Sequence, residues 1–353
     1  IKYRNKGSMS TSDSITLIGT PPSPYTRKMV ALLRYRKIPY KAMWSDPLET
    51  LTKGVLADLK IDPPSPGLLP TFILPDETGK LQAVTDTTPL IRRFEEEYRD
   101  RKCLPKDSIL NFINYLLEDF ADEWVTKYMF HYRWHFKEDA DNAGTLLPLN
   151  LVVNLPKENL NSMKTYIADK QISRLGVVGS SDTTAPMIEA SYKRFLGMLE
   201  AHFENLPYLL GRRPSSADFA LFGQLSQLVG FDPTSRSLAH EISPRTVAWV
   251  GIMEDLSGLE PIDEDWIDVN NIPNSLKVIL SEVGKVYAPA LIANAKAHNE
   301  GSKTWEAEID DSTWTQQTFS YQVKCLKWIN DEFHQLDDGA QQKVKHIFEG
   351  TNC

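Results

Sequence analysis

A hydroxyl-rich segment, Ser23-Pro24-Tyr25-Thr26, is the part of this sequence best suited to chemistry. Serine directly before proline is typical of a helix start, because serine caps free N–H groups and proline lacks one at the first helical position. The positive end of the helix dipole favours an anion there. The pattern therefore predicts either a hydroxyl that stabilises an anion such as a thiolate, or a plain helix cap.

The elements that must position Ser23 follow from the hydrophobic pattern. Residues 14–18 are rich in β-branched side chains and predict a strand that Gly19 ends, and apolar residues at helical spacing follow Pro24. Further strands are predicted at 38–44, 71–74 and 81–84, and further helices at 48–59 and 87–99. This order of elements predicts an α/β domain over residues 14–99, in which a parallel crossover is followed by a hairpin.

Three other motifs lie at the boundaries of predicted elements. Leu69-Pro70-Thr71 leads into a strand, and Asp86-Thr87 precedes a helix whose free N–H groups can accept a carboxylate. Ser215-Ser216-Ala217-Asp218 has the spacing of a capping box, which is a structural role.

In order and spacing, these motifs resemble the glutathione transferase superfamily over roughly residues 14–256. Ser23-Pro24-Tyr25 resembles the Ser-Pro-Phe helix start of tau-type glutathione transferases, and the CPYC motif of glutaredoxins with hydroxyl residues in place of both cysteines. Leu69-Pro70-Thr71 resembles the cis-proline segment of thioredoxin-like domains, and we expect a cis bond there. Asp86-Thr87 resembles the acid–hydroxyl pair that binds the γ-glutamyl end of glutathione.

The resemblance implies a thioredoxin-like α/β N-terminal domain at 14–99 and an all-helical domain at 106–256. Residues 257–353 exceed what such a protein needs, and we expect an appended helical extension. Residues 1–13 are polar, and Gly7-Ser8-Met9 looks like a cloning junction, so this segment is predicted to be disordered or tag-like.

The resemblance also implies roles for individual residues. Ser23 would stabilise the thiolate of glutathione, with Thr20 and Tyr25 as alternatives. Leu69 and Pro70 would align the tripeptide, and Asp86 with Thr87 would hold its amino end, although a helix cap explains that pair equally well. Neither Ser23 nor Thr26 is a thiol, which argues against disulfide exchange of the glutaredoxin type.

The segment 118–134 combines acidic and aromatic residues, and in the family this helix borders the pocket for the second substrate. Trp124, Tyr128 and His131 fall at helical spacing and are predicted to line a pocket for an apolar or aromatic electrophile. The alternative is a core-packed helix with a solvated acidic edge. His131 and His135 are four apart, but a lone pair is a weak metal pattern, and no metal is expected.

Composition narrows the functional class. The 353 residues carry a formal net charge of −8 with no long basic run, which argues against nucleic acid as a partner. No apolar stretch approaches the roughly 20 residues that cross a membrane. Three widely spaced cysteines indicate a reducing cytoplasm rather than a disulfide framework.

The sequence therefore predicts a cytoplasmic, glutathione transferase-like enzyme that activates the glutathione thiol against a small electrophile and forms a homodimer, as the family usually does. Two alternatives remain. One is a non-catalytic binding or interaction protein on the same fold. The other is a glutathione-dependent isomerase or dehalogenase, which differs only in the second pocket.

Overall fold

The computed structural model describes residues 14–44 and 50–353 of the chain. The segment 1–13, predicted to be tag-like, and the start of the predicted helix 48–59 lie outside these ranges. Within the described part, no helix is both long and apolar enough to span a bilayer.

The first domain contains four strands and three helices in the predicted order. The strands are β1 (Ile15–Gly19), β2 (Tyr40–Trp44), β3 (Thr71–Pro75) and β4 (Leu81–Val84). The helices are α1 (Pro24–Tyr35), α2 (Thr50–Asp58) and α3 (Thr87–Glu97). The sheet order is β2-β1-β3-β4, with β1 parallel to β2 and antiparallel to β3. The thioredoxin-like α/β arrangement predicted from the sequence is confirmed.

The second part is helical, and its first three helical segments follow one another directly. They are α4 (Ser108–Phe120), a π-helical segment at Ala121–Val125 and α5 (Thr126–His135). The following helices are α6 (Lys137–Leu149), α7 (Lys157–Ile172), α8 (Ala185–Phe203), α9 (Ser216–Gly230), α10 (Pro233–Ile242) and α11 (Pro244–Met253). Helix α9 is buried along nearly its whole length and packs on α1, so it joins the helical part to the first domain.

The capping box predicted before α9 is confirmed. The Asp218 carboxylate accepts from the backbone N–H of Ser215 at 2.8 Å and from that of Leu209 at 2.9 Å. The same side chain therefore caps α9 and holds the preceding loop.

The sequence of residues 140–161 has no regular hydrophobic pattern and predicts a loop, whereas the structure shows them largely helical in α6 and α7. Their hydrophobic pattern is weak because small residues make the contact. A Cβ added at Gly144 would lie 3.1 Å from Cγ of Lys164, so α6 and α7 approach closely at this point.

The C-terminal extension is not purely helical, which corrects the prediction. It contains α12 (Asn274–Glu282), a π-helical segment at Val283–Tyr287, α13 (Ala288–Asn299), α14 (Ser320–His334) and α15 (Asp338–Phe348). Between α13 and α14, strands β5 (Thr304–Ile309) and β6 (Ser312–Gln317) form an antiparallel hairpin. Asp310 and Asp311, at the turn of this hairpin, both have positive φ. Glycine is the usual sequence signal for this conformation, and this turn contains none.

Candidate functional site

The ends of three strands bring the predicted site segments to one edge of the sheet. Ile18 pairs with Thr71, and Phe72 pairs with Val84, both in antiparallel register. The start of β3 therefore lies beside the ends of β1 and β4. Three segments emerge together at this edge: the loop 20–23, Leu69–Pro70 and Asp86–Thr87.

Ser23 is the N-cap of α1. The backbone N–H of Thr26 donates to its Oγ at 3.3 Å, and the side chain is partly exposed. Within the described residues the Ser23 hydroxyl donates to no acceptor, which leaves its proton free for a ligand. The loop before it is tight, since a Cβ added at Gly19 would lie 2.6 Å from the side chain of Thr26. The capping role is confirmed.

The loop that carries Ser23 is held from the helical part of the molecule. Arg133 of α5 donates to the carbonyl of Pro22 at 3.0 Å, and Gln227 of α9 donates to that of Pro21 at 3.3 Å. Arg133 is itself buried and paired with Asp232 at 2.9 Å. Sequence reasoning missed Arg133, because nothing in the local pattern distinguishes a buried arginine from an exposed one.

The peptide bond between Leu69 and Pro70 is cis, as predicted. Pro70 is buried and Leu69 is partly exposed, and the pairing of Thr71 with Ile18 places this segment at the same edge of the sheet as the loop that carries Ser23. The bond between Ser65 and Pro66 is also cis, which the sequence analysis did not anticipate.

Asp86 and Thr87 form the start of α3, but their side chains already have partners. Asp86 has φ 76° and does not cap the helix with its carboxylate, which instead accepts from the Tyr321 hydroxyl at 3.2 Å. Thr87 is buried, and its hydroxyl accepts from Lys28 at 3.1 Å. The first-turn N–H groups of α3 therefore receive no side-chain cap from Asp86.

Lys28 is the centre of a buried polar network between α1, α3 and α4. Its Nζ lies 2.8 Å from Glu118 Oε1 and 2.6 Å from Asp122 Oδ2, and the lysine side chain has no exposed surface. Burial alone would lower the pKa of Lys28, but the two carboxylates outweigh burial and raise it. Glu118 also accepts from Thr88 at 2.9 Å and Ser216 at 2.6 Å. The network ties the start of α3 to the helical part.

Tyr25 links α1 to the helical part. Its hydroxyl donates to the backbone carbonyl of Asp122 at 2.8 Å, and burial raises its pKa well above the usual value. That Tyr25 binds glutathione stays a prediction, with its hydroxyl already engaged in this contact.

The three residues predicted to line a second-substrate pocket lie in the core. Trp124 packs against Trp314 of the C-terminal hairpin with ring centroids 5.2 Å apart, and its indole N–H donates to Tyr128 at 3.0 Å. The Tyr128 hydroxyl lies 2.6 Å from Oγ of Ser191, and His131 is fully buried. These three side chains therefore do not line an open pocket, which corrects the prediction and agrees with the alternative of a core-packed helix.

His131 forms no metal site with His135. The rings stack with centroids 4.5 Å apart, and Nδ1 of His131 lies 2.8 Å from Ser180. Burial lowers the pKa of His131 to about 3, so it is neutral. Across the described residues, no group of three or more His, Cys, Asp or Glu side chains is arranged to hold a metal ion.

Two carboxylates beside the site face the C-terminal extension. Asp119 accepts from the Tyr287 hydroxyl at 2.6 Å, and Glu123 accepts from Gln322 at 3.2 Å. Burial, together with repulsion from neighbouring carboxylates, raises the pKa of Asp119 to about 7 and that of Glu123 to about 8. The extension is therefore docked on protonatable groups next to the Lys28 network.

Comparison with known proteins identifies the first domain. Residues 17–102 match a family model described as "Glutathione S-transferase, N-terminal domain". The resemblance stated from the sequence is thereby confirmed over these residues. No curated protein matches the chain.

Several solved structures are distantly similar. FzlA from C. crescentus is 18% identical, with 67% of this chain and 86% of that chain covered and a TM-score of 0.39. A glutathione transferase family member from Pseudomonas fluorescens, solved with two glutathione bound, is 15% identical over 67% of this chain and 86% of that one, with a TM-score of 0.41. A Tau class glutathione S-transferase from mango is 14% identical over 72% and 96%, with a TM-score of 0.41. At these low scores, no property of those proteins is assigned to this chain.

Proposed function

Because residues 17–102 form a glutathione S-transferase N-terminal domain, we propose that this chain binds glutathione at the sheet edge formed by Ser23, Leu69–Pro70 and Asp86–Thr87. The observation that carries the proposal is the convergence of these three segments, each with a matching local geometry. Ser23 caps a helix, Leu69–Pro70 is cis, and Asp86 stands at a helix start that its own side chain leaves uncapped.

The ends of the tripeptide match the groups at this edge. The N-terminus of α3 offers N–H groups and a partial positive charge to the γ-glutamyl carboxylate. The Asp86 carboxylate is a partner for the γ-glutamyl ammonium. The exposed backbone of Leu69 would pair with the cysteinyl part in strand fashion. Thr87 contributes through its backbone, since Lys28 holds its hydroxyl.

Ser23 would prepare the thiol for reaction. Glutathione supplies the nucleophile, a thiolate that forms when its thiol proton passes to solvent. The free Ser23 O–H donates a hydrogen bond to the sulfur, and the positive end of α1 lies beside it. Both interactions favour the anion and lower the pKa of the thiol. The thiolate would then bond to an electrophilic carbon and either displace a leaving group or add to a double bond.

A second candidate, a glutathione-binding protein without turnover, is favoured by one observation. Trp124, expected to face an electrophile, is buried against Trp314 of the C-terminal hairpin, and Tyr128 is buried against α8. If the extension stays docked, the molecule would bind the tripeptide and leave little room for a second substrate. The homodimer predicted from the sequence also stays a proposal, and light scattering of the purified chain tests it.

Calorimetry of glutathione binding, followed by turnover of an aryl halide, separates the two candidates. The variants are Ser23→Ala and Ser23→Gly, because glycine is a nearly equivalent cap but has no hydroxyl. If Ser23 activates the thiol, both variants bind glutathione and both lose turnover. Binding without turnover in the wild type supports the second candidate. A wild type that does not bind glutathione would overturn the proposal.

A further inference from the structure

A cavity of about 410 Å³ lies within the C-terminal part of the molecule, on the side of α4 occupied by Phe112 and Leu116. Its other walls come from the π-helical segment Val283–Tyr287 and from α13, α14 and α15. It shares no residue with the proposed glutathione site. The space opens to solvent, since Asn330, Lys345 and Glu349 on its rim are exposed.

The cavity exists because α14 turns an apolar stripe inward without packing it fully. Leu326, Ile329 and Phe333 recur at helical spacing and line the space, yet each stays partly exposed. Only Gln322 and Cys325 of α14 are buried. On the opposite wall, Phe112 stands 5.5 Å from the Phe333 ring and 6.1 Å from the Phe348 ring, which forms an aromatic corner.

The polar groups around the cavity offer no net charge to a ligand. The Tyr287 hydroxyl is already engaged with Asp119 at 2.6 Å, and Sγ of Cys353 contacts the carbonyl of Leu280 at 3.0 Å. The wall carries one cation, Lys345, and one anion, Glu349, which is the C-cap of α15, so their charges sum to zero. A charged ligand would have to lose the hydration of its charge on entering such a space, whereas a neutral ligand has no charge to desolvate.

We propose that this cavity binds an uncharged, largely apolar small molecule that contains two or three fused rings. The size follows from the volume: 410 Å³ is between two and three times the roughly 150 Å³ of an apolar cavity that accepts benzene. The volume also lies in the usual range for small-molecule sites, about 300–1,000 Å³. On the wall, the amide nitrogen of Asn330 donates to the carbonyl of Leu326 at 2.9 Å, and its amide oxygen would accept a hydrogen bond from a ligand that carries one donor.

A neutral fluorescent probe, N-phenyl-1-naphthylamine, tests the proposal on the full chain. We expect saturable binding at one site per chain, unchanged by saturating glutathione because the two sites share no residue. Ile329→Trp fills the cavity and should weaken binding at least tenfold. Ile252→Trp is the matched control, since Ile252 is 58% exposed on α11 and lies outside the cavity wall. Ile329→Ala keeps the space open and should retain binding.

Three results would overturn the inference. The first is no saturable binding by the wild type. The second is equal weakening, or none, by Ile329→Trp and Ile252→Trp when circular dichroism shows both to be folded. The third concerns charge: an anionic naphthalene sulfonate that binds tenfold more tightly than the neutral probe, and loses that advantage in Lys345→Gln, would show that the ligand is an anionic amphiphile. Each result is independent of whether glutathione binds.

Discussion

The hydroxyl of Tyr321, on α14, lies 3.2 Å from Oδ2 of Asp86. Asp86 is the residue proposed to hold the γ-glutamyl ammonium of glutathione, and Tyr321 belongs to the C-terminal extension, residues 257–353. The C-terminal segment therefore contacts the very carboxylate that glutathione would use.

Replacing Tyr321 by Phe should strengthen glutathione binding about three- to tenfold, because a hydrogen bond worth about 1 kcal/mol no longer competes for Asp86. Calorimetry measures the change. Tyr166→Phe, at an exposed position on α7, should leave the affinity unchanged. Weaker binding by Tyr321→Phe would show instead that the tyrosine positions Asp86 for the ligand.

Lys28→Met should destabilise the fold by about 3–5 kcal/mol, because it leaves Glu118 and Asp122 buried without their cation. Lys106→Met is the control, since Lys106 pairs with Asp263 at the surface and such pairs contribute about 1 kcal/mol or less. Urea unfolding measures both free energies, and an unchanged m value shows that the same surface unfolds. A loss of under 1 kcal/mol in Lys28→Met would contradict the central place given to this network.

The folding stability of Glu123→Gln, relative to the wild type, should increase as pH rises. The pKa of Glu123 is raised to about 8 in the folded state, so its contribution to stability is fully present below the unfolded pKa of about 4.3 and is lost as pH rises through about 8. Glutamine mimics the protonated form at every pH. The variant should therefore match the wild type at about pH 4 and below, and its advantage in stability should grow as pH rises from about 4 to about 8.

The gain in Glu123→Gln should be at most about 1.4 kcal/mol per pH unit, because a single carboxyl group releases at most one proton. Denaturant unfolding at pH 5 and pH 8 measures it, with Glu241→Gln at an exposed position as the control. A constant difference between variant and wild type across this range would rule out a titrating Glu123.

Gly179→Ala should loosen the hairpin that covers Trp124. Gly179 has φ 80°, and an added Cβ would collide with the indole of Trp314. Backbone strain and the collision together should cost at least about 2 kcal/mol. Thermal unfolding and near-ultraviolet circular dichroism report the loss of tryptophan packing. Gly258→Ala, where a Cβ meets nothing within 4 Å, should leave the stability unchanged. Equal losses of stability in the two variants would contradict the close packing of Trp314 on Gly179.

Local chemistry made much of the first domain predictable. Proline after serine placed the start of α1, the β-branched run placed β1, and the Ser215–Asp218 spacing placed the start of α9. These features depend on neighbours within a few residues, where propensities and capping rules are strong. Helices α6 and α7 escaped prediction because small residues, rather than an apolar stripe, form their contact.

The surroundings of the site were decided only by tertiary structure. The sequence pattern around Lys28, Trp124 and Asp86 does not reveal their partners. Each of these residues contacts a residue about 90 to 235 positions away. The sequence pattern of aromatic residues at helical spacing is the same whether they line a pocket or pack in the core. Burial and pairing depend on which surfaces meet, and that depends on how distant segments pack, as with the C-terminal extension across α3 and α4. The sequence by itself determined where the motifs of the proposed site begin their helices and strands; the packing of residues 257–353 decided that Asp86 meets Tyr321 and that Trp124 meets Trp314.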